Sequence, residues 1–121
     1  MIDLDTLASA EFCYLTTVGR VSGRLHTIEI WFALRGATAL LLAGSHTSDW
    51  VQNIAANPAV TLRIGERVFE GCGRLVADHG EDQAARDLMF AKYQPGSAGD
   101  LREWQREALS VAIDLDARAA G

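Results

Sequence analysis

The sequence is poor in the residues that mark several common classes of protein. Its 121 residues include only two cysteines, two prolines and one lysine. Cys13 and Cys72 belong to no CxxC pair, so a zinc site lacks ligands, and their strand-like surroundings predict buried, reduced thiols. The net charge is −5 and no stripe of basic residues occurs, which argues against nucleic-acid binding.

Long apolar runs are missing as well. No stretch reaches the roughly 18 apolar residues that a membrane-spanning helix requires, and the acidic Asp3 and Asp5 are unlike the start of a signal peptide. We therefore expect a cytoplasmic location. With 49% hydrophobic residues the chain can form its own core, and its length predicts one domain over residues 1–121.

The signature motifs of several enzyme classes do not occur. The sequence has no GxSxG nucleophile elbow, no HExxH zinc motif, no P-loop and no GxGxxG dinucleotide fingerprint. The spacing of His26, His46 and His79 leaves a Ser–His–Asp triad open, but nothing marks a nucleophile beside them. No catalytic residue and no metal ligand can therefore be assigned.

The pattern of apolar residues predicts six short strands interrupted by helices. Turn residues separate the strands, and a Gly65-Glu66 turn indicates a hairpin. This order is typical of a mainly β (α+β) fold, a small antiparallel barrel with short flanking helices. The predicted strands cover 11–18, 25–34, 38–44, 60–64, 67–77 and 109–115; the predicted helices cover 3–10, 48–57, 80–94 and 100–108.

The stretch 25–34 alternates strictly between apolar and polar residues. Ile28, Ile30 and Phe32 share one face, whereas Glu29 and Trp31 share the other. The same alternation places His26 on the apolar face. Either a bulge resets the register near residues 24–26, or His26 is not a ligand.

The loop 19–24 gives the best indication of a binding site. Gly19 and Gly23 permit positive φ, so that successive N–H groups can point the same way. Arg20, Ser22 and Arg24 add donors suited to a phosphate. The alternative is an ordinary solvated hairpin loop.

A second group of polar residues lies at the start of the helix near residue 48. Ser45 and His46 precede its positive end, and Trp50 and Asn53 are three apart on one face. A flat aromatic ligand with an acidic tail suits this arrangement. By residue type alone, Trp50 is more often a core residue, Asn53 a surface residue and His46 an exposed loop residue.

The segments LTTVGRVSGR and DWVQNIAANPAVTLRIG, with Ser45-His46 before the second, resemble the deazaflavin-dependent nitroreductase-like family. This family is part of the flavin-binding split β-barrel group that includes relatives of pyridoxamine-phosphate oxidase. The resemblance implies a six-stranded split β-barrel and a homodimer. It also implies coenzyme F-420 (8-hydroxy-5-deazaflavin), or FMN as the alternative, in a groove near the subunit interface.

The resemblance also implies the residues of the site. The cofactor-binding set would be Arg20, Ser22, Gly23, Arg24, His26, Glu29, Trp31, Ser45, His46, Trp50 and Asn53. Four positions depart from the family pattern: His26 replaces an arginine, Ile28-Glu29 an Asn-Pro pair, and His46 a lysine. The choice between F-420 and FMN therefore stays open.

The function that the resemblance implies is hydride transfer from reduced F-420 to a quinone-like, nitro or unsaturated small molecule. Such chemistry resides in the cofactor, which agrees with the lack of catalytic motifs. Residues 1–11 and 88–104 would shape the substrate pocket. Tyr93 is either a proton donor there or a core tyrosine. The alternatives are an FMN-dependent flavoprotein reductase or oxidase of the same fold and a non-catalytic carrier of a cofactor or lipid.

Dimerisation also has a reason in the sequence itself. Three tryptophans and the apolar stretch TALLLAG are more apolar surface than a barrel of this size can easily cover. We therefore expect a homodimer.

Overall fold

The computed structural model of the chain describes residues 4–45 and 47–116, so the predicted ligand His46 lies outside the described residues. Each predicted helix and strand is present, with its ends shifted by a few residues. The strands are β1 (Cys13–Val18), β2 (Leu25–Ile30), β3 (Ala33–Arg35), β4 (Thr38–Ala43), β5 (Ala59–Ile64), β6 (Arg67–Leu75) and β7 (Leu109–Asp116). The helices are α1 (Leu4–Leu7), α2 (Asp49–Ala56), α3 (His79–Tyr93) and α4 (Arg102–Glu107).

Within the described residues the strands form one antiparallel sheet in the order β2-β1-β5-β6-β7-β4-β3. Its two edge strands, β2 and β3, are separated in the chain by only Trp31 and Phe32. Opposite edges of a flat sheet of this width would lie about 29 Å apart, whereas these residues span at most about 11 Å. The sheet must therefore curl until the joined ends of β2 and β3 lie close together. Because the two edge strands do not pair, the barrel remains half open.

The count of six strands was wrong by one, because the predicted strand 25–34 is divided. The backbone of Phe32 bonds to side chains of α3 instead of to a neighbouring strand. Its N–H donates to the Tyr93 hydroxyl (3.0 Å), and its carbonyl accepts from the Lys92 amine (2.8 Å). Periodicity alone does not reveal this break, since alternation continues through it.

The main core lies inside the curled sheet, and α2 closes one end of it. Val51 and Ile54 of α2 reach this core from the helix. Gly73 of β6 allows close approach, since a Cβ there would stand 2.9 Å from the side chain of Ile54. A side chain at this position would push α2 away from the sheet, so the glycine permits the close packing of α2 on β6.

The outer surface of β3, β4 and β7 is covered by α3, together with Leu101 and Trp104. Leu40 and Leu42 of β4 pack on this outer side, while Leu41 faces the core. TALLLAG is therefore covered within one protomer, so this stretch gives no reason for the expected dimer. The outward-pointing residues of β1, β5 and β6 are instead exposed or half-buried: Tyr14, Thr16, Thr61, Arg63, Val68 and Glu70.

The two cysteines differ from each other. Cys13 is buried, and burial raises the pKa of its thiol to about 12, so it stays protonated. Cys72 is exposed on the outer surface, so the prediction of a second buried thiol was wrong. None of the described helices combines the length and apolarity that crossing a membrane requires.

Arg74 joins three elements by ion pairs. Its guanidinium donates two hydrogen bonds to Glu81 of α3 (2.6 and 2.7 Å) and, through Nε, one of 2.7 Å to Asp114 of β7. These bonds hold the pKa values of Glu81 and Asp114 below their usual range. Because the Glu81 side chain is only 14% exposed, its charge depends on this partner.

We expect Arg74→Met to lower the free energy of unfolding by about 1–2 kcal/mol at pH 7, a figure discounted for the partial exposure of Arg74. Since the two carboxyl groups have lowered folded-state pKa values, their stabilisation is present above the unfolded values and is lost as the pH falls through the folded ones. The difference between the variant and the parent should therefore shrink between about pH 5 and pH 3. Urea unfolding at several pH values measures it.

Arg102→Met is the matched control. Arg102 also pairs with a carboxylate, Asp100, at 2.8 Å, but both side chains are mostly exposed. Its loss should change stability little. Equal losses for the two arginine variants, or a difference that is the same at pH 3 and pH 7, would contradict the assignment.

Candidate functional site

A cavity of about 440 Å³ opens between loop 19–24, the start of β2 and the start of α2. We call it the first cavity. Its walls include five of the predicted binding residues: Arg20, Ser22, His26, Trp50 and Asn53. The remaining lining residues are Thr17, Gly19, Val21, Thr27, Ile28 and Asp49.

Asn53 is the centre of the first cavity's hydrogen bonds. Its Nδ2 donates to Thr17 Oγ1 of β1 (3.1 Å), and its Oδ1 accepts from the backbone N–H (3.2 Å) and Nη1 (2.9 Å) of Arg20. The side chain is 3% exposed, whereas Trp50 is only half-buried at the cavity wall. The residue-type preference that places Asn53 on the surface is therefore wrong, while Trp50 does both things: it packs against the core and lines the cavity.

Arg20 is oriented by α2. Besides Asn53, its guanidinium contacts the backbone carbonyl of Asp49 (3.4 Å) and its carboxylate (3.3 Å). These contacts hold Arg20 at the cavity wall, but Asp49 offsets part of its charge. Since the Asp49 side chain is 87% exposed, water and salt screen this pair.

The loop conformation agrees only in part with the prediction. Gly23 has φ +74°, as expected, but Gly19 does not have positive φ. Gly19 serves close packing instead, because a Cβ there would stand 2.8 Å from His26 Nε2. Several loop N–H groups bond within the protein: Gly19 to Arg24, Gly23 to Gly19 and Arg24 to Ser22 Oγ. These bonds leave mainly side chains, rather than a nest of N–H groups, to meet any anion at this loop.

His26 lies at the cavity without any bulge. The ladder between β1 and β2 is regular from Cys13↔Ile30 to Val18↔Leu25, and it pairs His26 with Thr17. The imidazole thus lies on the same face as Ile28, as alternation predicted. It remains exposed because this face opens into the cavity beyond the end of the core.

Two other predicted residues, Glu29 and Trp31, line a different cavity of about 480 Å³. We call it the second cavity. Its other walls are Ile30, Leu42, Leu101 and Trp104. Leu101 and Trp104 fall within the range 88–104 that was expected to shape the substrate pocket, but neither residue was singled out as part of the site. An apolar pair three positions apart was the only local signal.

Gly23, Arg24 and Ser45 line neither cavity. The Ser45 hydroxyl bonds to Thr47 Oγ1 (2.7 Å) and accepts from the Thr47 N–H (3.1 Å), which shapes the turn before α2. Arg24 is exposed beside the first cavity. These three residues stay predicted ligands that are not part of the wall of either cavity.

Tyr93 has the environment of a core residue. Its hydroxyl lies 2.6 Å from the Glu11 carbonyl and accepts a hydrogen bond from the Phe32 N–H. Burial raises its pKa to about 12, so it holds its proton. Lys92 beside it lies 3.8 Å from the centre of the Phe32 ring, and burial lowers the pKa of its amine to about 8.

A family model described as F420H(2)-dependent quinone reductase matches residues 4–115. The chain belongs to this family. This membership confirms the predicted relationship to deazaflavin-dependent enzymes, and it supports the predicted cofactor F-420. No match was found among curated proteins.

Several solved structures share the fold at low identity. An F420 reductase is 22% identical with a TM-score of 0.65, and the match covers 93% of each chain. A FAD-binding protein from Mesorhizobium loti is 14% identical with a TM-score of 0.70, covering 93% of this chain and 84% of that one. A third, described as a domain-swapped dimer, is 19% identical with a TM-score of 0.69, covering 85% and 79%. At these identities the likeness establishes the mainly β split-barrel fold, as predicted.

The donor chemistry of the first cavity fits a planar anionic cofactor. Arg20, Ser22 and His26 supply hydrogen-bond donors on one side, and Arg24 stands close by. The half-buried Trp50 supplies an aromatic wall on α2. The helix start adds backbone N–H groups that no capping side chain occupies.

We expect Asn53→Ala to lower the free energy of unfolding by about 2–3 kcal/mol, since it leaves Thr17 and the Arg20 N–H without their buried partner. The loop should also loosen, which hydrogen exchange of residues 19–24 would detect. Gln52→Ala is the control, because the Gln52 side chain donates to the exposed Thr47 carbonyl (2.9 Å) and lies outside the cavity. Similar losses in the two variants would show that Asn53 does not organise the loop.

Proposed function

We propose that this protein is an oxidoreductase that binds reduced coenzyme F-420 and passes a hydride to a quinone-like, nitro or unsaturated small molecule. The observation that carries the proposal is the first cavity, whose walls bring the donors Arg20, Ser22 and His26 together with the aromatic Trp50. Membership of an F420H(2)-dependent family supports the choice of cofactor.

In this proposal the residues of the chain bind the cofactor, orient it and shield it from water. Arg20 and Arg24 hold the negatively charged oxygens of the cofactor, with Ser22 as a hydroxyl donor. Asn53 keeps Arg20 in place, and Trp50 supplies an apolar surface for the ring.

Reduced F-420, when bound, supplies the hydride. A quinone acceptor takes up that hydride and one proton from the solvent, so that a hydroquinone leaves. The reaction needs no acid–base pair from the described residues, because the reactive carbon belongs to the cofactor and not to the protein. Glu29 accepts a bond from the Tyr14 hydroxyl (3.3 Å), which suits an orienting role better than proton transfer.

We expect Arg24→Met to weaken binding of F-420 about tenfold at low salt, because a charge-assisted hydrogen bond contributes roughly 1.5 kcal/mol or more. Arg24 is the residue of choice since it is exposed and its loss spares the contacts of Arg20 with α2. Fluorescence titration measures the dissociation constant. The effect should diminish as salt is added.

Arg67→Met is the matched control, since Arg67 is exposed at the start of β6, outside both cavities. It should leave the affinity for F-420 unchanged. If neither F-420 nor FMN binds the parent protein at micromolar concentration, the proposal is wrong.

FMN is the alternative cofactor, because it too is planar and anionic and a related fold belongs to a FAD-binding protein. The same titration with FMN decides between them. Tighter binding of FMN, or a purified protein with flavin absorption, would favour a flavoprotein. A bound cofactor that is not reoxidised by any acceptor would favour a non-catalytic carrier.

We also propose a homodimer formed through the uncovered outer surface of β1, β5 and β6. Tyr14, Arg63 and Val68 form one row across this surface, and Val68 is 48% exposed. The related structure described as a domain-swapped dimer supports self-association.

We expect the parent protein to sediment as a dimer at micromolar concentration and Val68→Arg to shift it to a monomer, since a charge buried without a partner opposes association. Leu88→Arg, on the exposed side of α3, is the control and should remain dimeric. A monomeric parent, or a dimeric Val68→Arg, would rule out this interface. Sedimentation velocity is the measurement.

A further inference from the structure

The second cavity has an aromatic wall that is both exposed and rigid. Trp31 is 36% exposed and stacks on Tyr93, with ring centres 4.2 Å apart and planes 2° from parallel. Trp104 meets Trp31 edge to face at 5.7 Å. With the apolar Leu42 and Leu101 beside them, these indoles form a surface suited to a flat apolar ring.

The position of Trp31 is fixed by α3. The next residue, Phe32, is held through its N–H and carbonyl by Tyr93 and Lys92, as described above. The Trp31 indole therefore does not have to be ordered when a ligand arrives. Such preorganisation lowers the entropic cost of binding.

The charges around the second cavity are mostly negative; the amine of Lys92 borders a neighbouring pocket beside Trp31, where it donates to the Phe32 carbonyl (2.8 Å) and Glu11 lies close by. Glu29 is the one charged residue among the described residues that line the second cavity, and Trp104 also borders a surface that carries Glu103 and Glu107. Arg102 nearby is already paired with Asp100 at 2.8 Å. These carboxylates would repel an anionic ligand, whereas they would not repel a neutral ring.

The two cavities are lined by consecutive residues of β2. Ile28 lines the first cavity, and Glu29 and Ile30 line the second. Ile28 and Ile30 point to the same face of β2 and are two residues, about 7 Å, apart along the strand. The two cavities therefore adjoin along this edge strand, and their occupants can approach each other there, as hydride transfer requires.

From these features we infer that the second cavity binds the ring of the electron acceptor and selects neutral acceptors over anionic ones. Trp31 and Trp104 stack against the ring, and Glu29 with the carboxylates of α4 repels negative substituents. This inference rests on the proposed function, but the binding step does not require the cofactor. It can therefore be tested separately.

The test uses menadione as a neutral quinone and 1,4-naphthoquinone-2-sulfonate as an anionic one, with cofactor-free protein. In Trp50→Phe protein, the two remaining tryptophans of the chain both line the second cavity. Menadione should quench their fluorescence saturably, after correction for absorbance. The sulfonate should bind at least about fivefold more weakly, and Glu29→Gln should reduce this discrimination.

Trp104→Ala should weaken menadione binding about tenfold, measured by calorimetry. Trp104→Phe keeps an aromatic ring and so serves as a second variant if Trp104→Ala does not fold. It should bind menadione with intermediate affinity. Leu88→Ala is the control, since Leu88 is exposed on α3 outside the cavity, and it should bind like the parent protein.

Unsaturable quenching, equal affinity for the two quinones, or unchanged menadione binding in folded Trp104→Ala would each overturn the inference. None of these results bears on F-420 binding. Conversely, failure of F-420 to bind would refute the proposed function while quinone binding at Trp104 could still be measured. The two proposals therefore fail in distinguishable ways.

Discussion

The short connection between the two edges of the sheet is the constraint on which the rest of the structure depends. Because only Trp31 and Phe32 join β2 to β3, a sheet of seven described strands must close upon itself. Closure creates the inner core and places one edge strand, β2, against both cavities. Tyr93 and Lys92 satisfy the polar groups of Phe32 at the junction, where no strand can do so. The same bonds hold Trp31 at the mouth of the second cavity.

A single buried amide provides the corresponding order at the other cavity. Asn53 links β1, α2 and loop 19–24 through Thr17 and Arg20. Burying such a polar group is costly unless its bonds are satisfied, and here they are. Asn53 therefore attaches the cavity wall firmly to the core, although the charged residues of the wall remain accessible. The two cavities differ in chemistry, one lined by donors for an anion and the other by indoles beside carboxylates.

Much of this arrangement was predictable from local patterns. The alternation of apolar and polar residues located the strands. The sequences of loop 19–24 and of the start of α2 indicated an anion-binding site. Most of the errors share one cause, since they concerned contacts that the local pattern does not reveal. Phe32 leaves the ladder because α3 binds it, and Asn53 is buried because β1 and Arg20 bond to it. Gly19 packs against His26 rather than adopting positive φ.

The amino-acid sequence by itself determined the order of helices and strands, the donor-rich loop and the family, because these depend on neighbouring residues and on motifs that local chemistry constrains. Tertiary structure alone decided which donors share a cavity with Trp50, and that Glu29 and Trp31 lie in another cavity with Leu101 and Trp104. It also decided which sheet surface stays uncovered. The reason is that curling of the sheet and docking of α3 bring together residues whose spacing in the chain contains no trace of their proximity.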